Sequence, residues 1–219
     1  MKKEEVRARI EEIGIIPAVR VASSDHARYA AETVCHSGIP IAEITMTVPG
    51  ALEVIADLVK NVPEMIVGAG TVLDTETAQR CVDAGAHFLT STGVVREVVE
   101  FARKLEMLVI AGALTPTELI HAWKTGSDMI KIFPCGQVGG ASYIHTLKVP
   151  FPNVPLIAAG GVNQQTAFGY ILAGASALGI GSELIPKEAL QRKQDHRIRE
   201  LARRFLGLVK DARNRMAAS

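Results

Sequence analysis

Short apolar runs rich in branched residues recur along the chain, at 15–19, 41–45, 65–68, 87–90, 107–111, 129–133, 156–159 and 177–180. Most lack the alternation of a strand with one wet face, so they predict strands covered on both sides. Segments with helical spacing lie between them, at 25–36, 51–60, 75–84, 94–104, 117–125 and 164–172. Thr115-Pro116-Thr117-Glu118 predicts a helix start, with Thr115 as N-cap, proline in the first turn and Glu118 completing a capping box. Gly38, Gly85, Gly126 and Gly174 stand where helices are expected to end, because a left-handed backbone is cheap only for glycine.

Strand and helix alternate throughout, which predicts a parallel sheet buried on both faces. Eight such units in 219 residues predict a closed (β/α)8 TIM barrel. The competing open, doubly wound sheet normally carries a glycine-rich dinucleotide turn after its first strand, and Val19-Arg20-Val21-Ala22 is not one. Residues 1–13 are expected to form a helix capping the barrel bottom. Ile198, Leu201, Phe205 and Leu208 predict the apolar stripe of a closing helix with an arginine-rich solvated face. No linker or low-complexity tract interrupts the pattern, so a single domain over residues 1–219 is expected.

With 48% hydrophobic and 21% charged residues the composition is that of a packed globular domain. The net charge of +1 gives no basic face for nucleic acid. The first residues are charged and amphipathic, unlike a secretory signal, and apolar stretches such as 171–181 are too short and glycine-rich to span a bilayer. A soluble, cytoplasmic protein without a membrane partner is expected. Cys35, Cys81 and Cys135 have neither zinc-site nor disulfide spacing, and the six histidines are scattered, so free thiols and no metal site are expected.

Two charges then stand out. Lys131 lies inside Asp128-Met129-Ile130-Lys131-Ile132-Phe133-Pro134, and strand alternation turns it with Met129 and Phe133 into protein. Glu43 lies in Ile41-Ala42-Glu43-Ile44-Thr45. Strands two and six of a barrel contribute to the same interior layers, which places Glu43 opposite Lys131. A buried ion pair satisfying itself is one reading; a nucleophilic lysine beside an acid/base carboxylate is the other. An ordinary lysine amine is neutral in only about four molecules in ten thousand at pH 7, so nucleophilic use requires its surroundings to help.

Glycine-rich loops follow strand seven (Gly160-Gly161) and strand eight (Gly181-Ser182), where barrels often bind phosphate through backbone N–H groups and a short helix N-terminus. Arg20 ends strand one with a guanidinium able to clamp a carboxylate, or lies in a rim salt bridge. Thr71, after Gly68-Ala69-Gly70, either faces the pocket with its hydroxyl or caps the next helix. The residues alone leave open a sugar-phosphate isomerase or epimerase with Glu43 as base, and a non-catalytic oligomeric or sugar-phosphate-binding scaffold.

Glu43-Ile44-Thr45, Gly68-Ala69-Gly70-Thr71, Lys131-Ile132-Phe133-Pro134, Gly160-Gly161 and Gly181-Ser182, in this order over nearly the whole chain, resemble the class I aldolases that cleave 2-keto-3-deoxy-6-phosphogluconate (KDPG) and 4-hydroxy-2-oxoglutarate (KHG). The resemblance implies retro-aldol cleavage of a KDPG-like 2-keto acid to pyruvate and glyceraldehyde 3-phosphate, with 4-hydroxy-2-oxoglutarate giving pyruvate and glyoxylate. It implies a covalent imine at Lys131 with no cofactor, proton shuttling by Glu43, and carboxylate binding by Arg20 and Thr71. It also implies phosphate binding by Gly160, Gly161, Gly181 and Ser182, a pocket wall of Thr47, Thr92 and Phe133, and a homotrimer. The chain departs from its look-alikes at Thr47, where they have an arginine for the substrate carboxylate, a duty expected to pass to Arg20 as in galactonate-type relatives. It departs again at Ser91-Thr92 for Ser-Pro, at Ala111 for proline and at Ala159 for threonine, which is expected to bear on which sugar acid is accepted.

Overall fold

The computed structural model describes residues 1–218 and closes eight parallel strands into one barrel, β1 to β8 in sequence order around the ring. The strands are β1 (Ile15–Val19), β2 (Ile41–Thr45), β3 (Ile66–Gly70), β4 (Phe88–Thr90), β5 (Leu108–Ala113), β6 (Met129–Ile132), β7 (Leu156–Ala159) and β8 (Ala177–Ile180). The helices are α1 (Lys3–Ile13), α2 (Ser24–Cys35), α3 (Ala51–Asn61), α4 (Thr75–Asp83), α5 (Arg96–Lys104), α6 (Pro116–Thr125), α7 (Ala141–Lys148), α8 (Ala167–Leu172), α9 (Lys187–Gln191) and α10 (Asp195–Ala217). The (β/α)8 expectation is met, and Thr115 caps α6 through the capping box with Glu118.

Several boundaries differ for identifiable reasons. β3 continues to Gly70 because Gly68 and Gly70 stay in register with Glu43 and Thr45, although glycines give no strand pattern. α8 starts at Ala167, three residues later than 164, because Asn163 Oδ1 accepts from the N–H groups of Gln165 and Thr166 and holds a turn there. In α10, Val209 is buried and Leu208 only partly so: the stripe continues from Phe205 at helical spacing through Val209. The short α7 and α9 fall outside the helices expected from spacing.

Burial divides into two shells. Residues such as Ile15, Ala42, Ile44, Val67 and Ala111 pack outward against the helices. Ile16, Ile41, Ile66, Phe88, Leu108, Ile110, Met129 and Ile157 fill the interior, closed from below by Val6 and Ile10 of α1. Gly14, at φ 73°, ends α1 and turns the chain directly into β1. Arg213 of α10 donates to the carbonyls of Glu11 and Glu12, clasping this plug in place.

The pairings fix the interior layers. Stepping from one strand to its partner and advancing one residue each time returns Glu43 to itself after eight strands, the closure expected for shear eight. From the bottom, the layers are Ile41, Phe88, Met129 and Ala177; then Ile16, Gly68, Ile110 and Ile157; then Glu43, Thr90, Lys131 and Gly179. Above these come Ala18, Gly70, Gly112 and Ala159, and finally Thr45, Thr92, Phe133 and Gly181. The lower layers interlock: a Cβ on Gly68 would overlap the Phe88 ring.

At the barrel bottom, His87 Nδ1 accepts the Val67 N–H at 3.1 Å. Burial, with the positive chain terminus adding to it, holds this imidazole below its ordinary pKa. The folded state therefore keeps His87 neutral longer than the unfolded chain does. Its stabilising contribution is complete above the unfolded value of about 6.5 and is lost as pH falls through the lower folded value. Melting from pH 7 down to pH 5 is expected to show an acid loss of Tm that is smaller in His87→Asn, which keeps an acceptor but does not titrate.

Candidate active site

β2 and β6 carry the two charges that sequence alternation turned inward, and the barrel brings them together. Lys131 Nζ donates to Glu43 Oε1 at 3.3 Å and Oε2 at 3.4 Å. Lys131 is 7% exposed and Glu43 3%, so the pair sits in protein rather than on a rim. The ammonium also lies 5.9 Å from the centroid of the Phe133 ring, within cation–π range. A pair so buried is costly to desolvate and a poor choice for stability alone.

The layer above the pair is built from small residues. Ala18, Gly70, Gly112 and Ala159 contribute two methyl groups and no larger side chain between the pair and the barrel mouth. Ala18 and Gly179 are partly exposed although both belong to strands in mid-barrel or at its inner face. Two of the glycines are sterically required. A Cβ on Gly70 would overlap the Glu43 carboxylate, and one on Gly112 would run into the backbone of Thr92. Gly70→Ala is expected to destabilise the fold by about 1–3 kcal/mol through overpacking, although alanine is ordinarily the better strand residue. Urea unfolding of the variant measures this directly.

The mouth holds the remaining candidates. Arg20 is exposed just beyond β1, two residues after the inward Ala18. Thr71 follows β3 with φ 62°, rare for a β-branched residue and a form of strain found at functional sites. It does not cap α4; Asp74 does, accepting the Thr77 N–H at 2.7 Å. Thr47 is exposed and its hydroxyl lies 2.9 Å from that of Thr45, which is bound in turn to the Val19 carbonyl. Thr92 and Phe133, both partly buried, belong to the uppermost layer with Gly181.

Across the mouth, Gly160 and Gly161 take φ values of 79° and 86°, a backbone that side chains resist. The Gly160 carbonyl accepts from Gly136 N at 2.8 Å and Cys135 Sγ at 3.3 Å, tying this loop to the segment after β6. The loop after β8 is a turn, in which the N–H groups of Leu184 and Ile185 bond the Gly181 carbonyl; Ser182 is exposed there. Neither loop leads straight into a helix: α8 begins at Ala167 and α9 at Lys187.

Ala111, expected to bear on the substrate, faces the outer shell, because Ile110 and Gly112 are the inward residues of β5. Its N–H, which a proline would lack, is satisfied by Ser127 Oγ at 2.9 Å. Ala159 does lie in the layer directly above the pair. Thr90, whose only signal in the sequence is a hydroxyl on an inward strand position, belongs to the layer of Glu43 and Lys131. Cys35, Cys81 and Cys135 are free and buried, and burial pushes Cys35 and Cys81 up to about 11. No group of three or more His, Cys, Asp and Glu among the described residues is arranged to hold a metal ion, and no helix among them is long and apolar enough to cross a membrane.

The model of a family described as KDPG and KHG aldolase matches residues 6–201. A KHG/KDPG aldolase of Escherichia coli K12 is 33% identical over 190 residues, 86% of this chain and 89% of that protein. A 2-dehydro-3-deoxy-phosphogluconate aldolase of Pseudoalteromonas atlantica is 29% identical over 86% of this chain and 88% of its own length. Among solved structures, KDPG aldolase from Legionella pneumophila, with pyruvate captured as a covalent carbinolamine, superposes with a TM-score of 0.83. It is 29% identical and covers 90% of this chain and 95% of its own.

Proposed function

The chain belongs to the KDPG and KHG aldolase family and is thus a carbon–carbon lyase, and we propose that it works through an imine at Lys131 on a KDPG-like 2-keto-3-deoxy-6-phospho sugar acid. The observation that carries the reading is the Lys131–Glu43 pair, 3.3 Å apart in the barrel interior beneath a layer of alanine and glycine. The carbinolamine held by the Legionella relative supports the same chemistry.

In this mechanism the neutral Lys131 amine adds to the C2 ketone, and Glu43 delivers the proton that lets hydroxide leave as water. The protonated imine is the electron sink, so bond cleavage asks for no metal. Glu43 then takes the proton of the C4 hydroxyl; the C3–C4 electron pair moves into the imine and the aldehyde departs. The resulting enamine is protonated at C3, and water hydrolyses the imine to free pyruvate and the amine. Arg20 and Thr71 orient the carboxylate at the mouth. Gly160, Gly161, Gly181 and Ser182 receive the phosphate through backbone N–H groups and a hydroxyl, with Thr47, Thr92 and Phe133 as walls. 4-Hydroxy-2-oxoglutarate, split to pyruvate and glyoxylate, fits the same core chemistry. The reading takes residues 1–219 as one catalytic domain, acting in the cytoplasm as a homotrimer, a state that light scattering measures.

Incubation with pyruvate and borohydride is expected to add a reduced three-carbon adduct at Lys131, located by peptide mass. Turnover without any adduct would sink the imine mechanism. A panel of phosphorylated and unphosphorylated 2-keto-3-deoxy acids, scored by pyruvate release, then ranks the substrates.

A further inference from the structure

The geometry points to Thr90 as a third polar member of the reacting layer: its hydroxyl replaces the Lys131 ammonium as the donor that holds the Glu43 carboxylate once Lys131 is engaged as an imine. This rests on the imine reading of Lys131. Thr90 occupies the β4 place in the layer of Glu43, Lys131 and Gly179. It is 1% exposed, and its Oγ1 is buried with no hydrogen-bond partner. An unsatisfied buried hydroxyl is destabilising, and valine would fill the same volume without that cost.

The strand between Thr90 and Glu43 puts no side chain of its own between them. The strand between them, β3, presents Gly70, which follows the pairs Gly68 with Phe88 and Ala69 with Leu89 and so lies beside Thr90. The same glycine leaves the space that the Glu43 carboxylate uses. Gly179, the fourth member of the layer, has no side chain to offer.

In the resting pair both Glu43 oxygens face Lys131 Nζ, at 3.3 and 3.4 Å. Imine formation removes that arrangement: the nitrogen is now bonded to the substrate C2 and keeps at most one N–H. A carboxylate that must pass one proton between substrate atoms then needs a separate donor to hold it in place. The Thr90 hydroxyl supplies it by rotation about χ1, donating to Glu43 while keeping its own proton. Thr90 acts through Glu43 and is a positioning residue.

The test compares Thr90→Val and Thr90→Ser in the full chain, using two partial reactions of pyruvate. Borohydride trapping reports imine formation; exchange of the C3 hydrogens in D2O reports proton transfer. Thr90→Val is expected to keep trapping within about twofold, while exchange and the kcat of cleavage fall about tenfold with KM little changed. Thr90→Ser restores both rates to within about threefold. If valine prevents folding, the contrast of Thr90→Ser with Thr90→Ala isolates the hydroxyl in the same way. Wild-type exchange in Thr90→Val, serine no better than valine, or a raised KM with exchange intact would each overturn the inference. A wild-type protein that gives no adduct overturns the imine reading and this inference with it, and is told apart because it needs no substitution.

Discussion

Lys131→Met is expected to lower pyruvate release by at least about 10⁴-fold and to abolish the borohydride adduct, because no other group in the layer can form the imine. Methionine keeps the length and apolar character of the lysine stem, so the barrel interior stays filled. The loss of charge has a structural cost as well: Glu43, 3% exposed, is left without its cation. Removing one partner of a buried pair typically costs about 3–5 kcal/mol. Lys131→Met with Glu43→Leu is therefore expected to regain stability in urea unfolding while remaining inactive. A single variant with more than about 1% of wild-type turnover would assign the nucleophile elsewhere.

Glu43→Gln separates acid–base work from ion pairing. The amide has the carboxylate's shape and still accepts from Lys131, so stability is expected to change by less than about 2 kcal/mol. It cannot exchange a proton with the C4 hydroxyl. Cleavage is expected to fall about 10²–10⁴-fold in kcat, the usual contribution of a placed acid–base group. Borohydride should still trap pyruvate at Lys131, only more slowly, since dehydration of the carbinolamine loses its proton donor. Turnover and trapping both at wild-type rates would leave Glu43 as a counter-ion alone.

The strand count and order were legible because apolar runs repeat with one helix between each pair, and a parallel barrel buries both faces of its strands. Strand ends were not: β3 and β5 run on through glycine and alanine, where no side chain records the alternation. Lys131 and Glu43 were visible because a charge in an apolar strand has no ordinary explanation. Thr90 was invisible for the opposite reason, since threonine is a common strand residue and its meaning depends on a layer assembled from four strands. The outward placement of Ala111 depends on the phase of β5, which only the pairing of Gly112 with Lys131 supplies. The small-residue layer above the pair had no local signature at all. Its four small residues are separated by long stretches of chain, and only the barrel's register lines them up.

That register also divides labour between alternate strands. Glu43, Thr90 and Lys131 come from even-numbered strands, whereas the small-residue layer above them comes from odd-numbered ones through Ala18, Gly70, Gly112 and Ala159. Chemistry and admission are thus written on interleaved staves. Gly70 and Gly112 are locked by their neighbours, which leaves Ala18 and Ala159 as the two side chains of this layer, so a two-position library there is expected to retune which aldehyde half is admitted while the proton relay stays on untouched strands.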